Sequence, residues 1–327
     1  MVKRPEVSII CCTDNHEPYI RDALNSFLAQ KTNFPIEILI HDDASTDNTA
    51  AIIKEYEEAY PHIIKPIFQK DNQQNKGIDI QQIIYERARG KYIAICDGDS
   101  FWIDEYKLQR QYDYLEKTKN CVLSVHAGKV VGVDGKQIDD IGSPSKMSRF
   151  YDMEELIKRD STLFVTNSLF FRANVVKNRP SLFMNTPATD YVLILYLSLF
   201  GQVHYMRDVM SCCRVGASEP WSVQVSNGET NKRYFQKLGV WLLQFDEWTN
   251  YCFHDAIDAK LRANNFIFET KEKDVNEADD ISLREAFASM PFSRKVVVLI
   301  EHYLPQLAVR LKRKQWRMYQ LLYRRHY

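Results

Sequence analysis

The chain has 327 residues, 45% of them apolar, with 18 Tyr and 17 Phe. That length suits one large α/β domain with an appendage, or two small domains, and that apolar content argues against a disordered chain. The formal net charge is zero, but from Ser293 onward nine Lys/Arg meet a single acid, which leaves a tail of about +8 and a body of about −8.

No run approaches the ~20 apolar residues that a bilayer span requires. The apolar run near the N-terminus is about six residues and is followed by polar Thr13–Pro18, too short for a secretory signal. The seven Cys include two adjacent pairs, Cys11–Cys12 and Cys212–Cys213, and no CxxC. They read as reduced, buried thiols of a cytoplasmic protein.

Val7–Cys12 reads as a buried strand. Tyr19–Gln30 reads as a helix with Ile20, Ala23, Leu24, Phe27 and Leu28 on one stripe. Strand Ile36–His41 follows, then helix Asn48–Tyr60 with Thr46 or Asp47 as its cap. Strand Ile63–Phe68, helix Ile78–Arg89, strand Tyr92–Cys96 and helix Lys107–Thr118 complete the first half. Strands alternating with helices of this length predict parallel βαβ units. Farther on, Leu163–Phe171 reads as a strand, Tyr191–Phe200 as a helix, and Val203–Arg207 and Met210–Val215 as short strands. Tyr234–Asn264 and Arg294–Arg325 read as helical, with charged Glu269–Asp280 between them.

Ligands of an open parallel sheet bind beyond the carboxyl ends of its strands. Three polar clusters fall at such ends: Thr13–Glu17, Asp42–Asp47 and Asp97–Ser100. One cluster alone reads as a turn or a cap; three on one edge read as a site. No GxGxxG and no GxxxxGK[ST] is present, which excludes the usual dinucleotide and P-loop modes. An acidic edge accepts a diphosphate only with a cation between them. Mg²⁺ and Mn²⁺ take oxygen ligands and bridge carboxylates to phosphates, and Asp97 and Asp99 suit that role.

Three segments then carry a resemblance: VSIICCTDNHEPYIRDALNSFLAQ, IEILIHDDASTDNTAAIIKEY and ARGKYIAICDGDSFWIDEYKLQRQYDYLE. Weaker matches are NSLFFR, TDYVLILYLSLFGQVHYMRDVMSCCRV and Trp221-Ser222. Over roughly residues 5–225 the chain resembles the family 2 glycosyltransferases, especially those that build bacterial surface polysaccharides. The resemblance implies a GT-A fold, a Rossmann-like nucleotide-sugar-binding domain with a mostly parallel central sheet. That domain is expected over 1–225, with a C-terminal α-helical region over 226–327.

The resemblance also implies roles. Thr13 and Asn15 match the loop lining the nucleotide pocket, Asp43 the acid that accepts from a uracil imide, and Asp42 its support. Asp97 and Asp99 match the metal and diphosphate motif, with Mn²⁺ or Mg²⁺ as cofactor. Asp190 matches the catalytic base of inverting members, and as a residue type it equally suits the N-cap of the following helix. Trp102 reads as a sugar-stacking ring or as core packing, and Trp221 as a donor contact. The chain departs from the family pattern at Cys12–Asn15, at Ser100 and at Cys213–Gly216, where relatives carry a His. The departures at Ser100 and Gly216 leave a catalytically weakened binding subunit as one alternative; a sugar-nucleotide nucleotidyltransferase, which could share the α/β edge, is another.

The reaction so implied moves a sugar from a UDP-sugar to a hydroxyl, with a lipid-linked glycan as acceptor. The tail interleaves Arg310, Lys312, Arg313, Lys314 and Arg317 with Leu307, Leu311, Trp316, Met318 and Tyr319. It reads as a contact with the anionic inner face of the plasma membrane or as a packed surface. A homodimer is compatible with the sequence, and no nucleic-acid partner is expected.

Overall fold

The computed structural model describes residues 4–139, 144–159, 163–186, 188–216 and 228–263. The chain divides into two compact units, residues 1–231 and 232–327.

The first unit opens with strands β1 (Val7–Thr13) and β2 (Ile36–Asp42), joined through helix α1 (Ile20–Leu28). Helix α2 (Thr49–Ala59) leads to β3 (Ile64–Phe68), and α3 (Ile80–Arg87) leads to β4 (Tyr92–Ile95). The short β5 (Phe101–Trp102) precedes α4 (Lys107–Lys117) and the long β6 (Cys121–Val131). Then come β7 (Gln137–Asp139), β8 (Arg149–Tyr151), α5 (Met153–Lys158), β9 (Phe170–Arg172), α6 (Thr189–Ser198) and β10 (Gln202–Arg214).

The sheet runs β3-β2-β1-β4-β9-β6-β10-β5, with β7 on β6 and β8 on β10. The first four strands are parallel, as the alternating strand and helix pattern requires. The reversed β9 joins β4 to β6, and β6 runs parallel to β10. Strand β1 is buried along nearly its whole length because helices cover both faces of the sheet. The apolar stripe of α1 packs Ile20, Ala23, Leu24 and Phe27 into that core. At the opposite end of the strands, buried Glu37 accepts from Ser8 Oγ at 2.6 Å and from Arg89 N and Nε at 2.8 Å. A buried carboxylate so paired is a structural fastening.

The polar Thr166-Asn167-Ser168 triplet turns the expected strand Leu163–Phe171 into a 3₁₀ turn, leaving only Phe170–Arg172 extended. Ser168 Oγ bonds the Val165 carbonyl and Asn167 Nδ2 the Cys212 carbonyl, so side chains take over the ladder's role. The two expected strands at 203–215 are one strand, β10, whose register shifts at Met206/Val209 and Val209/Ser211 accommodate Arg207 and Asp208 in the first and Met210 in the second. Between Thr118 and Leu163 no strand is expected, yet β6 lies there, buried along nearly its whole length.

In the second unit, helices α7 (Gly228–Trp248) and α8 (His254–Ala263) replace the single helix expected over Tyr234–Asn264. The break falls where Asn250 and Tyr251 take left-handed φ of 51° and 57°. Asp246 pairs with His254 at 2.7 Å and raises its pKa, which gives His254 a structural role. The helix expected over Arg294–Arg325, the basic tail and Trp221 lie outside the described residues.

Candidate active site

Parallel pairing brings the carboxyl ends of β1, β2 and β4 to one edge. The three polar clusters meet there. Asn15 sits in the left-handed region at φ 56°, as short amide side chains tolerate. Its Oδ1 accepts from Thr46 N at 2.8 Å, and its own N donates to Ser45 Oγ at 2.9 Å. Asn15 therefore staples the first loop to the second. Ser45 Oγ in turn donates to buried Asp42, so Asp42 supports this loop. The N-cap of α2 is Asn48 rather than the expected Thr46 or Asp47; Asp47 Oδ1 accepts from Thr49 N at 2.9 Å from one residue earlier.

Asp43 is buried, and its carboxylate accepts from Gln73 N at 2.8 Å and Gln74 N at 3.1 Å. An ionised carboxylate offers about four lone pairs, so two of them remain for another donor. Asp14 lies beside it, its carboxyl raised by burial and then by Asp43, and held by Asn72 at 3.0 Å.

Gly98 separates Asp97 from Asp99 because nothing larger fits. A Cβ there would lie 2.8 Å from Thr13 Oγ1 and 3.0 Å from His16 Nδ1. Thr13 is buried and its hydroxyl faces this contact, so its side chain shapes the acidic loop from beneath. Gly98 N also donates to the Cys12 carbonyl at 2.9 Å.

Arg214 clamps the same loop from the other side. Its Nε donates to the Asp99 carbonyl at 3.0 Å, Nη1 to the Gly132 carbonyl at 3.2 Å, and Nη2 to Asp22 Oδ2 at 3.1 Å. Its guanidinium also stacks over Tyr19 at 4.6 Å. Ser100, where relatives carry a second Asp, donates to Asp99 Oδ1 at 2.9 Å and accepts from Arg214 N at 3.3 Å. A hydroxyl serves both bonds without adding charge.

Among the described residues, no side chain donates to the Asp97 carboxylate, and no cluster of three or more His, Cys, Asp or Glu is arranged to hold a metal. Burial pushes the Asp97 carboxyl well above the usual range, and Asp99 and Asp190 push it further. This surplus of negative charge suits a divalent cation whose remaining ligands come from substrate phosphates and water. Cys12 and Cys213 face the same acids, and burial holds both thiols protonated, Cys213 at about 12. Neither is a thiolate nucleophile.

Asp190 lies in the first turn of α6 rather than at its cap, which is Ala188 with no side-chain cap bond. Its Oδ2 accepts from Thr166 Oγ1 at 2.5 Å, and the Gln81 side chain donates to it as well. Burial raises its pKa against these two bonds.

Trp102 is corrected. It is 4% exposed, packs on Phe27 at 4.9 Å, and donates Nε1–H to the Asn167 carbonyl at 2.9 Å. Lys107 Nζ covers its ring at 4.1 Å. No ring face is left for a sugar. His204 stacks on Tyr114 at 3.8 Å, its pKa lowered to about 4 by burial, and has a structural place. Thr166 and Gln81 lie in no segment that carries the resemblance, and Arg214 lies in a weak match with no role attached; only the fold brings them to the acids.

The family model for glycosyl transferase family 2 matches residues 8–177. The chain belongs to glycosyltransferase family 2. Its loops at the β1, β2 and β4 ends all lie within that matched span. The chain is 33% identical to an uncharacterised protein of Mycobacterium tuberculosis over 216 residues, 66% of this chain and 60% of that one. It thus spans about three fifths of the length of that relative. It is 31% identical to a teichuronic acid biosynthesis glycosyltransferase of Bacillus subtilis over 137 residues, 42% of this chain and 52% of that one. Its GT-A fold is shared with residues 1–349 of S. aureus TarS in complex with UDP-GlcNAc, at TM-score 0.56 and 16% identity, over 98% of this chain and 92% of that 1–349 chain. The mannosyltransferase of Pyrobaculum calidifontis in complex with GDP-Man and Mn²⁺ aligns at TM-score 0.54 and 14% identity, over 98% and 87%.

Proposed function

We propose that this family 2 member moves a sugar from a uridine diphosphate sugar to an acceptor hydroxyl with inversion, with a divalent metal as cofactor. The observation that carries the reading is the convergence of Asp97, Asp99 and Asp190, where Asp99 and Asp190 both act on the Asp97 carboxyl. Asp97 and Asp99 would hold Mn²⁺ or Mg²⁺, which when bound neutralises charge on the departing diphosphate. Asp190 takes the proton of the acceptor hydroxyl as its oxygen bonds the anomeric carbon. The diphosphate leaves with the electron pair of the broken bond. One such displacement inverts the anomeric configuration.

On the donor side, Asp43 uses a remaining lone pair on the uracil imide N–H. Asn15 and Asp42 fix the loop that presents it, and Thr13 seats the acidic loop. A Trp221 contact with the donor rests on the resemblance alone. TarS binds UDP-GlcNAc and the mannosyltransferase binds GDP-Man and Mn²⁺, which supports a nucleotide-sugar donor and a cation here. Cytosine offers no imide proton, so UDP is expected to compete with a bound UDP-sugar at least about ten-fold better than CDP, the worth of one hydrogen bond left unpaired. Equal competition by the two diphosphates in the presence of Mn²⁺ removes the Asp43 assignment. Release of UDP from a UDP-sugar, with Mn²⁺ or Mg²⁺ and abolished by EDTA, tests the activity itself.

The catalytic domain of this reading occupies residues 1–225, with the helical region at 226–327. A lipid-linked glycan of surface-polysaccharide synthesis is the acceptor, in keeping with the teichuronic acid relative. Such an acceptor places the enzyme at the cytoplasmic face of the membrane, reached through the basic tail. Each base near an anionic leaflet contributes ~1 kcal/mol, screened by salt. Anionic vesicles are therefore expected to sediment the full chain at low salt and to release it at high salt. Equal sedimentation of a chain ending at Ser293 ends the membrane role.

A further inference from the structure

The Asp190 carboxylate is gripped by side chains from two separate elements. Thr166 Oγ1 donates to its Oδ2 at 2.5 Å from the turn before β9. Gln81 donates from the first turn of α3. We propose that Thr166 and Gln81 are positioning residues that orient the Asp190 carboxylate toward the acceptor hydroxyl, a role that rests on Asp190 being the base.

Gln81 is itself oriented. An amide side chain has a donor end and an acceptor end, and nothing intrinsic decides which end faces the acid. The buried Tyr85, one helical turn farther on, lies 3.1 Å from Gln81 Oε1 and donates its hydroxyl proton to it. With the oxygen engaged there, the NH₂ end is directed to Asp190. The helix carrying both residues is pinned at its start. Asp79 accepts from Gln82 N at 3.0 Å as N-cap and pairs through Oδ2 with Arg179 at 2.6 Å. The buried Arg179 guanidinium also lies over the Tyr85 ring at 5.5 Å.

Thr166 is held as firmly. Its neighbour Asn167 donates to the Cys212 carbonyl at 2.8 Å and accepts from Ser211 Oγ at 2.8 Å. Both donors thus stand on fixed supports, on two different elements. Two such bonds restrict rotation of the carboxylate about its Cβ–Cγ bond and leave its other lone pairs facing a set direction. A general base acts only when its free lone pair lies within reach of the proton, and a displacement of about 1 Å costs up to ~10² in rate.

The test uses the full chain with Mn²⁺ and the fastest-hydrolysed of UDP-glucose, UDP-galactose and UDP-GlcNAc. Release of UDP is followed in wild type, Thr166→Val, Thr166→Ser, Gln81→Met and Asp190→Asn, each checked by circular dichroism and thermal midpoint. Thr166→Val and Gln81→Met are expected to lower kcat about ten-fold with donor KM within two-fold. Thr166→Ser, which keeps the hydroxyl, is expected to recover most of the loss, as a merely space-filling role would not allow. If Asp190→Asn is inactive while Thr166→Val and Gln81→Met turn over like wild type, the positioning role is wrong and the base stands. Equal losses in Thr166→Val and Thr166→Ser, or a raised KM with unchanged kcat, also overturn it. If Asp190→Asn keeps wild-type turnover, the base reading and this inference fall together.

Discussion

Asp99→Ala is expected to abolish sugar transfer and metal-dependent donor binding while leaving the fold intact. The reason lies in how the acidic loop is held. Its backbone is fastened by Arg214 on the Asp99 carbonyl and by Gly98 N on the Cys12 carbonyl. Neither bond uses the Asp99 side chain. Among the described residues the carboxylate itself accepts a side-chain hydrogen bond only from Ser100, a neighbour that stays where it is because Arg214 N also holds it. Alanine therefore removes one charge and one part-buried hydrogen bond between neighbouring residues, a change that leaves the backbone fastenings of the loop in place. For the donor the loss is large. A cation at two carboxylates contributes several kcal/mol to a transition state that gathers charge on the leaving diphosphate, and ~4 kcal/mol is about a thousand-fold in rate. Thermal midpoint without ligand, shift of that midpoint by UDP-sugar with Mn²⁺, and UDP release are the three measurements. Full turnover in EDTA, or in the alanine variant, would refute the metal assignment.

The first half of the fold was legible because each of its elements carries its own periodic signal. Strand β1 is a continuous apolar run, and α1 places Ile20, Ala23, Leu24 and Phe27 on one stripe. The edge of the sheet could then be found by asking which strands end in polar residues. The second half hid for a physical reason. Strand β6 contains Ser124, His126 and Lys129 between its apolar residues, and its two flanks are β9 and β10, far along the chain. Gln111 reaches over to donate to the Ser124 carbonyl at 3.0 Å, a contact that no local window contains. The same limit applies to the site. Asp97 and Asp99 sit two residues apart and show themselves. Arg214, Thr166 and Gln81 meet those acids or Asp190 only across the sheet. Trp102 misled because its place after the acidic loop suggests a sugar platform. The pairing of β5 with β10 instead turns the ring inward, onto Phe27.

Asp190→Asn is expected to lower kcat by at least ~10²-fold with donor affinity nearly unchanged. Asparagine keeps the size of the side chain and an oxygen that accepts from Thr166 Oγ1, so the supports of α6 survive. It cannot take a proton at neutral pH. A positioned base contributes ~10²–10⁴ in rate, and its loss appears in kcat because the proton moves only in the transition state. The effect on stability separates this outcome from simple damage. Burial raises the folded pKa of Asp190 above its unfolded value. Its charged form is therefore penalised in the folded state, and that penalty is absent in acid and present once the pH exceeds the folded pKa. Asparagine removes the penalty, so the variant is expected to melt no earlier than the wild type at neutral pH. Transfer kinetics with a UDP-sugar, donor binding by thermal shift, and melting at acid and neutral pH decide the matter together. An unfolded variant assigns Asp190 to the frame of α6. A folded variant with wild-type kcat places the proton acceptor elsewhere on this edge. Loss of turnover in a protein that still binds donor and melts as late as the wild type is the signature of a base.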